Sequence, residues 1–462
     1  MFILCAAFIP PAWAAEEIPV PGDNRTALAV TVYNGDLALV RDSRMISFPS
    51  GASNLAFTDI STRLQPETAV LRSGSGAFHV IEQVFDFDVV SRQSLLAASV
   101  GEKVTIVKVN PATGEENKIR ATVLSIENGV VLDIKGEITT DIPGRLVFDS
   151  FPDGLRTKPT LMAVVDAVET ASDSADLSYL TGGLTWRADY VAELNADTTA
   201  IDLSAWATVT NTAGTDFPEA TLKLIAGDIN RAAPAPEMMR AMAMESRSQV
   251  MADDVREESL AAFHLYSIDS PVTLINQQIK QLSLLSVSRV AVHTDLVSRG
   301  DNFALRRSMN GQLRTAQAAR SLVFYNTEEQ GLGTPLPSGT VRVYGQDSSG
   351  ALQLLGEDGL SHTPVGQEAR VTLGRDFDVK VEREQTEFLR ASDSITISAH
   401  KITVSNAKNE PVTVRVVEAM QGDWEVIEES APHTKIQANA EWQVDVPAGS
   451  SAEVAYRARV RF

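Results

Sequence analysis

The sequence predicts a mainly β protein: an immunoglobulin-like β-sandwich domain preceded by an N-terminal β domain that contains a small barrel-like module. Three observations carry this expectation. Short runs of alternating apolar and polar residues recur along the chain, the period of a half-buried strand. Turn signals such as Asn34-Gly35-Asp36 and Asn128-Gly129 stand between those runs. No sustained heptad run interrupts them.

At the N-terminus, Met1 to Ala15 carries no charge, Phe2 to Pro11 is apolar, and Ala12-Trp13-Ala14 has the small-x-small pattern of a signal-peptidase site. A membrane-spanning helix needs about 20 apolar residues, so the run is too short to span. The expectation is a signal peptide over 1–15, export to the periplasm or the extracellular space, and no integral membrane span after signal removal. Cys5 is the one cysteine and would leave with the signal. A mature chain without thiols excludes disulfides, thiolate metal sites and a cysteine nucleophile.

Sixty acidic against 40 basic residues leave a net charge of −20. Such a field repels phosphate backbones, and no basic patch offsets it, so nucleic acid is not an expected partner.

The N-terminal β domain spans 16–152. Ala29 to Phe57 reads as two or three strands, and Phe78 to Val89 as a further strand-pair candidate. Ser91 to Val100 reads as a short helix, capped by Ser91, facing Leu95 and Leu96 inward and ended by Gly101. Residues 103–148 carry four or five short strands, the barrel-like module, with a hairpin at Asn128-Gly129 because both turn residues must reach φ > 0.

The C-terminal sandwich spans 153–462. Leu177 to Leu194 and Leu203 to Asn211 are strand-like, with Trp186, Tyr190 and Trp206 as expected core aromatics. A strand–Asn-turn–strand unit occurs twice, once from Thr208 through Asn211 to Leu224 and once from Ile402 through Asn406 to Val416. Residues 231–262, rich in Met and Ala, read as a mobile insertion between strands.

Motifs with a chemical mechanism are absent: no H-E-x-x-H, no Walker loop, no G-x-G-x-x-G and no G-x-S-x-G. The six histidines show no metal-ligand spacing, and no cofactor or metal is expected. The acidic pairs Asp86/Asp88 and Asp376/Asp378 fall two apart, on one strand face, where paired carboxylates could bind calcium or cleave glycosides; a solvated face is the plainer reading. In the last strand Val454, Tyr456, Ala458, Val460 and Phe462 share one face and Arg457, Arg459 and Arg461 the other. That pattern suits the last strand of a sandwich and also an outer-membrane barrel.

Several segments together resemble a known family. The most specific runs from Ser178 to Tyr190 (SYLTGGLTWRADY), supported by Leu222 to Asn230, Phe263 to Leu285 and Val32-Tyr33-Asn34-Gly35. The chain resembles exported bacterial proteins of domain-of-unknown-function family 4139, related to the mucoidy-inhibitor-like group. The resemblance implies a β-rich envelope protein and brings no activity and no catalytic residues. Some members insert a long coiled coil, which this chain lacks. Bottom-up, Gly182-Gly183 permits a bend, and Trp186 and Tyr190 share a strand face. Gly182, Gly183, Trp186 and Tyr190 are either core residues or the lining of a ligand groove. The functional expectation is a non-catalytic binding or scaffold protein whose partner is a protein or polysaccharide of the cell envelope. The alternatives are a carboxylate-dependent hydrolase of envelope glycan or peptide, and an outer-membrane barrel.

Overall fold

Alternation in the sequence becomes alternation in burial. A computed structural model describes residues 17–86, 89–127, 129–142, 144–152, 155–227, 257–260, 263–301, 303–309 and 312–462. The signal-peptide expectation and most of the Met-rich insertion lie outside them; within the insertion only Glu257–Leu260 is placed, as a strand. Strands make up 65% of the structure and helix 4%, so the class is mainly β. Among the described residues no sheet closes into a barrel.

Two compact units emerge. The first comprises Met1–Trp186, Val209–Ile225 and Tyr266–Lys280, the second Arg187–Thr208, Ala226–Leu265 and Gln281–Phe462.

Two sheets of the first unit face each other. Five successive strands of one run in the order Phe217–Ala226, Arg25–Tyr33, Ala38–Phe48, Ala171–Thr181, Val70–Ser73, the first two parallel and the others antiparallel. The other runs Glu17–Val20, Gly51–Phe57, Thr160–Ala167, Phe78–Asp86. Phe48 meets Phe78 edge-on at 5.4 Å between them. The shared interior also holds charge. Arg44, fully buried, donates to the carbonyls of Val20 and Thr58 and to Asp42, 2.7 Å away. Arg25 completes the set with Nε 3.0 Å from Asp42. Losing one partner would strand the other charge in a dry interior.

Sequence reading set a boundary at 152/153. Strand pairing instead puts Thr160–Ala167 beside Gly51–Phe57 and Ala171–Thr181 beside Ala38–Phe48, so both complete sheets begun by the N-terminal strands.

The small module is an open five-stranded antiparallel sheet, in the order Glu137–Thr139, Val131–Ile134, Glu116–Ser125, Lys103–Val109, Arg145–Val147. It has its own core of Leu96, Val104, Ile106, Ala121, Val123 and Leu132. The helix is Arg92–Ala98, opened by a reciprocal Ser91–Ser94 capping box. Leu96 is buried while Leu95 is only half-buried. The expected hairpin joins Glu116–Ser125 to Val131–Ile134; Gly129 has φ +128°, and Asn128 lies outside the described residues.

In the second unit a nine-stranded sheet is ordered Asp423–Glu429, Ser451–Arg461, Ile395–Asn406, Glu368–Arg390, Arg314–Tyr325, His293–Gly300, Val412–Ala419, Asn439–Val446, Thr434–Ile436. Its two ends fold over one another. Trp442 and Tyr456, six strands apart in that order, stack at 4.9 Å. Val404, Val416, Val444 and Val460 fill the enclosed core. The last strand sends Val454, Tyr456, Ala458 and Val460 into it. Phe462, expected on the same face, is 42% exposed and lies under the Arg306 guanidinium. The smaller sheet pairs Ala188–Leu194 in parallel with Gly339–Gly345 and ends on Leu352–Leu360. Gly339 is required there, because a Cβ would lie 2.1 Å from the Ala188 carbonyl oxygen. Trp206, expected in the core, is 39% exposed on an outward position of its strand.

Candidate functional site

Inside the folded-over sheet, several strands place charged and polar side chains inward, Ser298, Gln385, His400 and Glu418 among them. Arg383 donates from Nε to Glu418 at 2.7 Å, from Nη1 to the Ser298 hydroxyl at 2.9 Å and from Nη2 to the Ser298 carbonyl at 3.0 Å. The Tyr456 hydroxyl donates to the other Glu418 oxygen at 3.4 Å. Glycine at position 300 makes room for the carboxylate, since a Cβ there would lie 2.2 Å from Glu418 Oε2 in this placement. Burial raises the Glu418 carboxyl above its ordinary range, against the pull of Arg383 and Tyr456. Burial, with the neighbouring Glu418 carboxylate, also raises the Tyr456 phenol. Burial, with the Arg383 charge, pushes His400 down to about 4, so its ring is neutral at ordinary pH. That ring stacks on Tyr456 at 5.0 Å and shares a 2.8 Å hydrogen bond with Ser398.

Over this cluster runs a strap containing the short helix Phe303–Arg306. Gln385 holds the strap from beneath, its Nε2 donating to the Arg307 carbonyl and its Oε1 accepting from Met309 N at 2.6 Å. Thr396 donates to the Leu305 carbonyl at 2.7 Å. The cavity left below is about 30 Å³ and is lined by Asp301, Arg314, Arg383, His400, Glu418 and Tyr456 among others. That is room for about one or two waters, not for a sugar ring.

A different arrangement stands open on the same unit. The strands Arg314–Tyr325 and Glu368–Arg390 lose register: Ala319 faces Arg375 and Gln317 faces Lys380, so residues 376–379 oppose a single residue. Such a bulge re-aims side chains. Asp376 turns inward to Lys408 at 2.7 Å, and Phe377 is thrown outward, 87% exposed. The bulge is tied down. Gln317 exchanges bonds with Arg375 and the Phe377 carbonyl, and Asp378 N donates to Asp376 at 3.1 Å. Two grooves, of about 570 and 280 Å³, are both lined by Phe377 and Arg375; the smaller also holds Arg320, Leu355 and Leu373.

The residues singled out from sequence lie elsewhere. Gly182-Gly183 turns between the strands Ala171–Thr181 and Leu184–Leu194, with Gly183 at φ +85° and pressed on the Ala213 backbone. Trp186 is buried, donates to the Ile225 carbonyl at 2.9 Å and meets Tyr266 edge-on at 6.1 Å. Tyr190 is fully buried and donates to the Pro337 carbonyl at 2.7 Å. Each of these side chains has a packing partner. The pair Asp376/Asp378 does not share a face, because the bulge separates a buried carboxylate from an exposed one. Asp86 pairs with Arg156, and Asp88 lies outside the described residues. Among the described residues no cluster of His, Cys, Asp and Glu is arranged to hold a metal, and no helix is long and apolar enough to cross a membrane.

The family described as "Domain of unknown function (DUF4139)" matches residues 175–462. No curated protein matches the chain.

Proposed function

We propose that this chain, which belongs to the DUF4139 family, is a non-catalytic binding or scaffold protein of the cell envelope, exported by the segment that precedes Glu16. The observation that carries this reading is the Phe377 bulge. A large aromatic ring held 87% in solvent on a tied-down bulge, between two grooves, is costly to keep there and typical of a contact surface. Acidity of −20 and the apolar leader support export and solubility rather than adhesion to nucleic acid.

A second reading has one observation of its own. Asp301 and Glu418 line one cavity, and burial raises the Glu418 carboxyl, as a general acid in hydrolysis would need. Against it, Glu418 is already engaged by Arg383 and Tyr456, and a substrate could reach it only if the strap moved. Purified full-length chain, offered envelope glycans and peptides, is expected to turn over none of them. Turnover abolished by Glu418→Gln would replace the binding reading with the hydrolase. Osmotic-shock fractionation tests the location: the chain is expected in the released fluid, and extraction by detergent alone would point to an outer-membrane form.

A further inference from the structure

Leu352–Leu360 is the terminal strand of its sheet. From Gly356 onward its outer side is closed by the strand Glu368–Arg390. A Cβ at Gly356 would lie 2.7 Å from Leu373 Cα, and Thr372 N donates to Asp358 at 2.7 Å. The preceding residues escape this closure, and three of them are exposed leucines: Leu352 at 48%, Leu354 at 58% and Leu355 at 42%. Proteins blunt such edges with charge, proline, a bulge or a covering element. Here Glu357 and Asp358 stand in the covered half and a bulge leaves Leu355 between the pairs Tyr344–Leu354 and Val343–Gly356, while Leu352, Gln353 and Leu354 carry neither charge nor proline. The edge runs into the groove below Phe377, where Leu355 and Leu373 meet Arg320 and Arg375.

The charge at that junction is opposite to the charge of the chain. Lys380 is paired with Glu382, and Lys408 with Asp376. Among the described residues, Arg375 bonds only a backbone carbonyl, that of Gln317, and the Nε of Arg320 is shielded from solvent without a hydrogen-bond partner. Among the described residues neither guanidinium has a carboxylate partner. Two guanidiniums without a carboxylate partner among the described residues, an exposed ring and a leucine edge form one surface, on a protein that otherwise carries excess negative charge. Aliphatic side chains beside a strand edge suit a polypeptide better than a glycan, which stacks on rings but not on leucines.

We propose that this surface docks an extended, acidic and aliphatic segment of a partner protein, which adds as a strand along Leu352–Leu355 and places its carboxylates on Arg320 and Arg375. The inference rests on the binding reading above and names its partner class. Main-chain bonds would supply affinity, and the ring, leucines and guanidiniums would choose the side chains.

The test uses the full chain and a fluorescent peptide of about eight alternating glutamates and valines, read by anisotropy. Binding is expected, weakened about tenfold or more by Phe377→Ala and by Arg375→Glu, which is a loss of about 1.4 kcal/mol or more and in the range of a contact at the centre of an interface. Both sites are exposed, and melting curves check that the variants fold. On the unaltered protein, N-methylation of alternate peptide amides is expected to abolish binding, which a merely electrostatic contact would not do. No binding, or binding indifferent to Phe377→Ala and to N-methylation, overturns the proposal. Capture of polygalacturonate in place of the peptide, sensitive to the same substitutions, also overturns it while leaving the binding reading intact. Cleavage of either probe would overturn the binding reading itself.

Discussion

His400 shows how a single buried ring becomes a pH dependence. In the unfolded chain a histidine takes up a proton near pH 6.5. In the folded protein burial, aided by Arg383, holds the ring neutral down to about 4, between Tyr456 on its face and Ser398 at its edge. Between those two pH values the unfolded state binds a proton that the folded state refuses, so stability rises with pH across this window. The contribution is fully present above about 6.5 and is lost as the pH falls towards 4. Its size between pH 7 and 4.5 is roughly 2–3 kcal/mol. Glu418 acts in the opposite sense, since a raised carboxyl favours the folded state as it protonates, but it is common to wild type and variant. Denaturant titrations at the two pH values are therefore compared between wild type and His400→Gln. The wild type is expected to lose roughly 2–3 kcal/mol more on acidification. An equal loss in both proteins would show that the ring is not held neutral.

At the scale of elements, buried asparagines close the ends of strands. Asn211 donates to the carbonyls of Thr215 and Leu274 and accepts from Ala213 N. Asn406 donates to the carbonyls of Glu410 and Val446 and accepts from Lys408 N. Spacings of two and four residues recur in both, so each turn is built around an amide that replaces missing backbone partners. Asn406→Ala leaves the buried Val446 carbonyl and the partly buried Lys408 N–H and Glu410 carbonyl without their side-chain partner, and about 1–3 kcal/mol of stability should go with them in a thermal or denaturant melt. A loss below about 0.5 kcal/mol would mean the turn holds itself. These two units were legible in the sequence, as were the Ser91 cap and the Asn128-Gly129 hairpin, because each signal spans only a few residues. Asn326 makes the same kind of turn, with bonds to Thr334 and Thr363, but no alternating partner strand follows at close range, and its signal is lost. Partner choice was not legible either. A strand's period tells which face is buried, not which strand lies beside it, so Thr160–Ala167 and Ala171–Thr181 read as the start of the second domain. The Glu418 cluster and the Phe377 bulge were not legible for the same reason. Glu418 and Arg383 come from strands three places apart in the sheet, and Phe377 faces outward only because four residues crowd against one.

For the whole molecule, the chain path separates what can be removed from what cannot. Each compact unit is assembled from three separate stretches of chain, so neither can be cut out as one segment. The five-stranded module is different. Its strands run without interruption from Lys103 to Val147, and its core, Leu96 included, is drawn from contiguous chain. The chain also enters and leaves it at one place: Val89 bridges Arg156 in parallel, and Val90 N donates to the Arg156 carbonyl at 2.7 Å. Insertions whose ends lie together can be lost without disturbing the host, since the closure left behind is short. Replacing residues 91–154 by a short Gly-Ser linker should therefore leave a protein that folds. Its near-UV circular dichroism should keep the signals of Trp186, Trp442 and the other aromatics outside the module, with a cooperative melt within a few degrees of the full chain. The excised segment alone is too small to bury enough apolar surface and should be at best marginally folded. If the deletion instead yields aggregated or non-cooperative protein, the module is an integral support of the sandwich that flanks it, and the Val89–Arg156 bridge joins it to that core rather than marking where it was inserted.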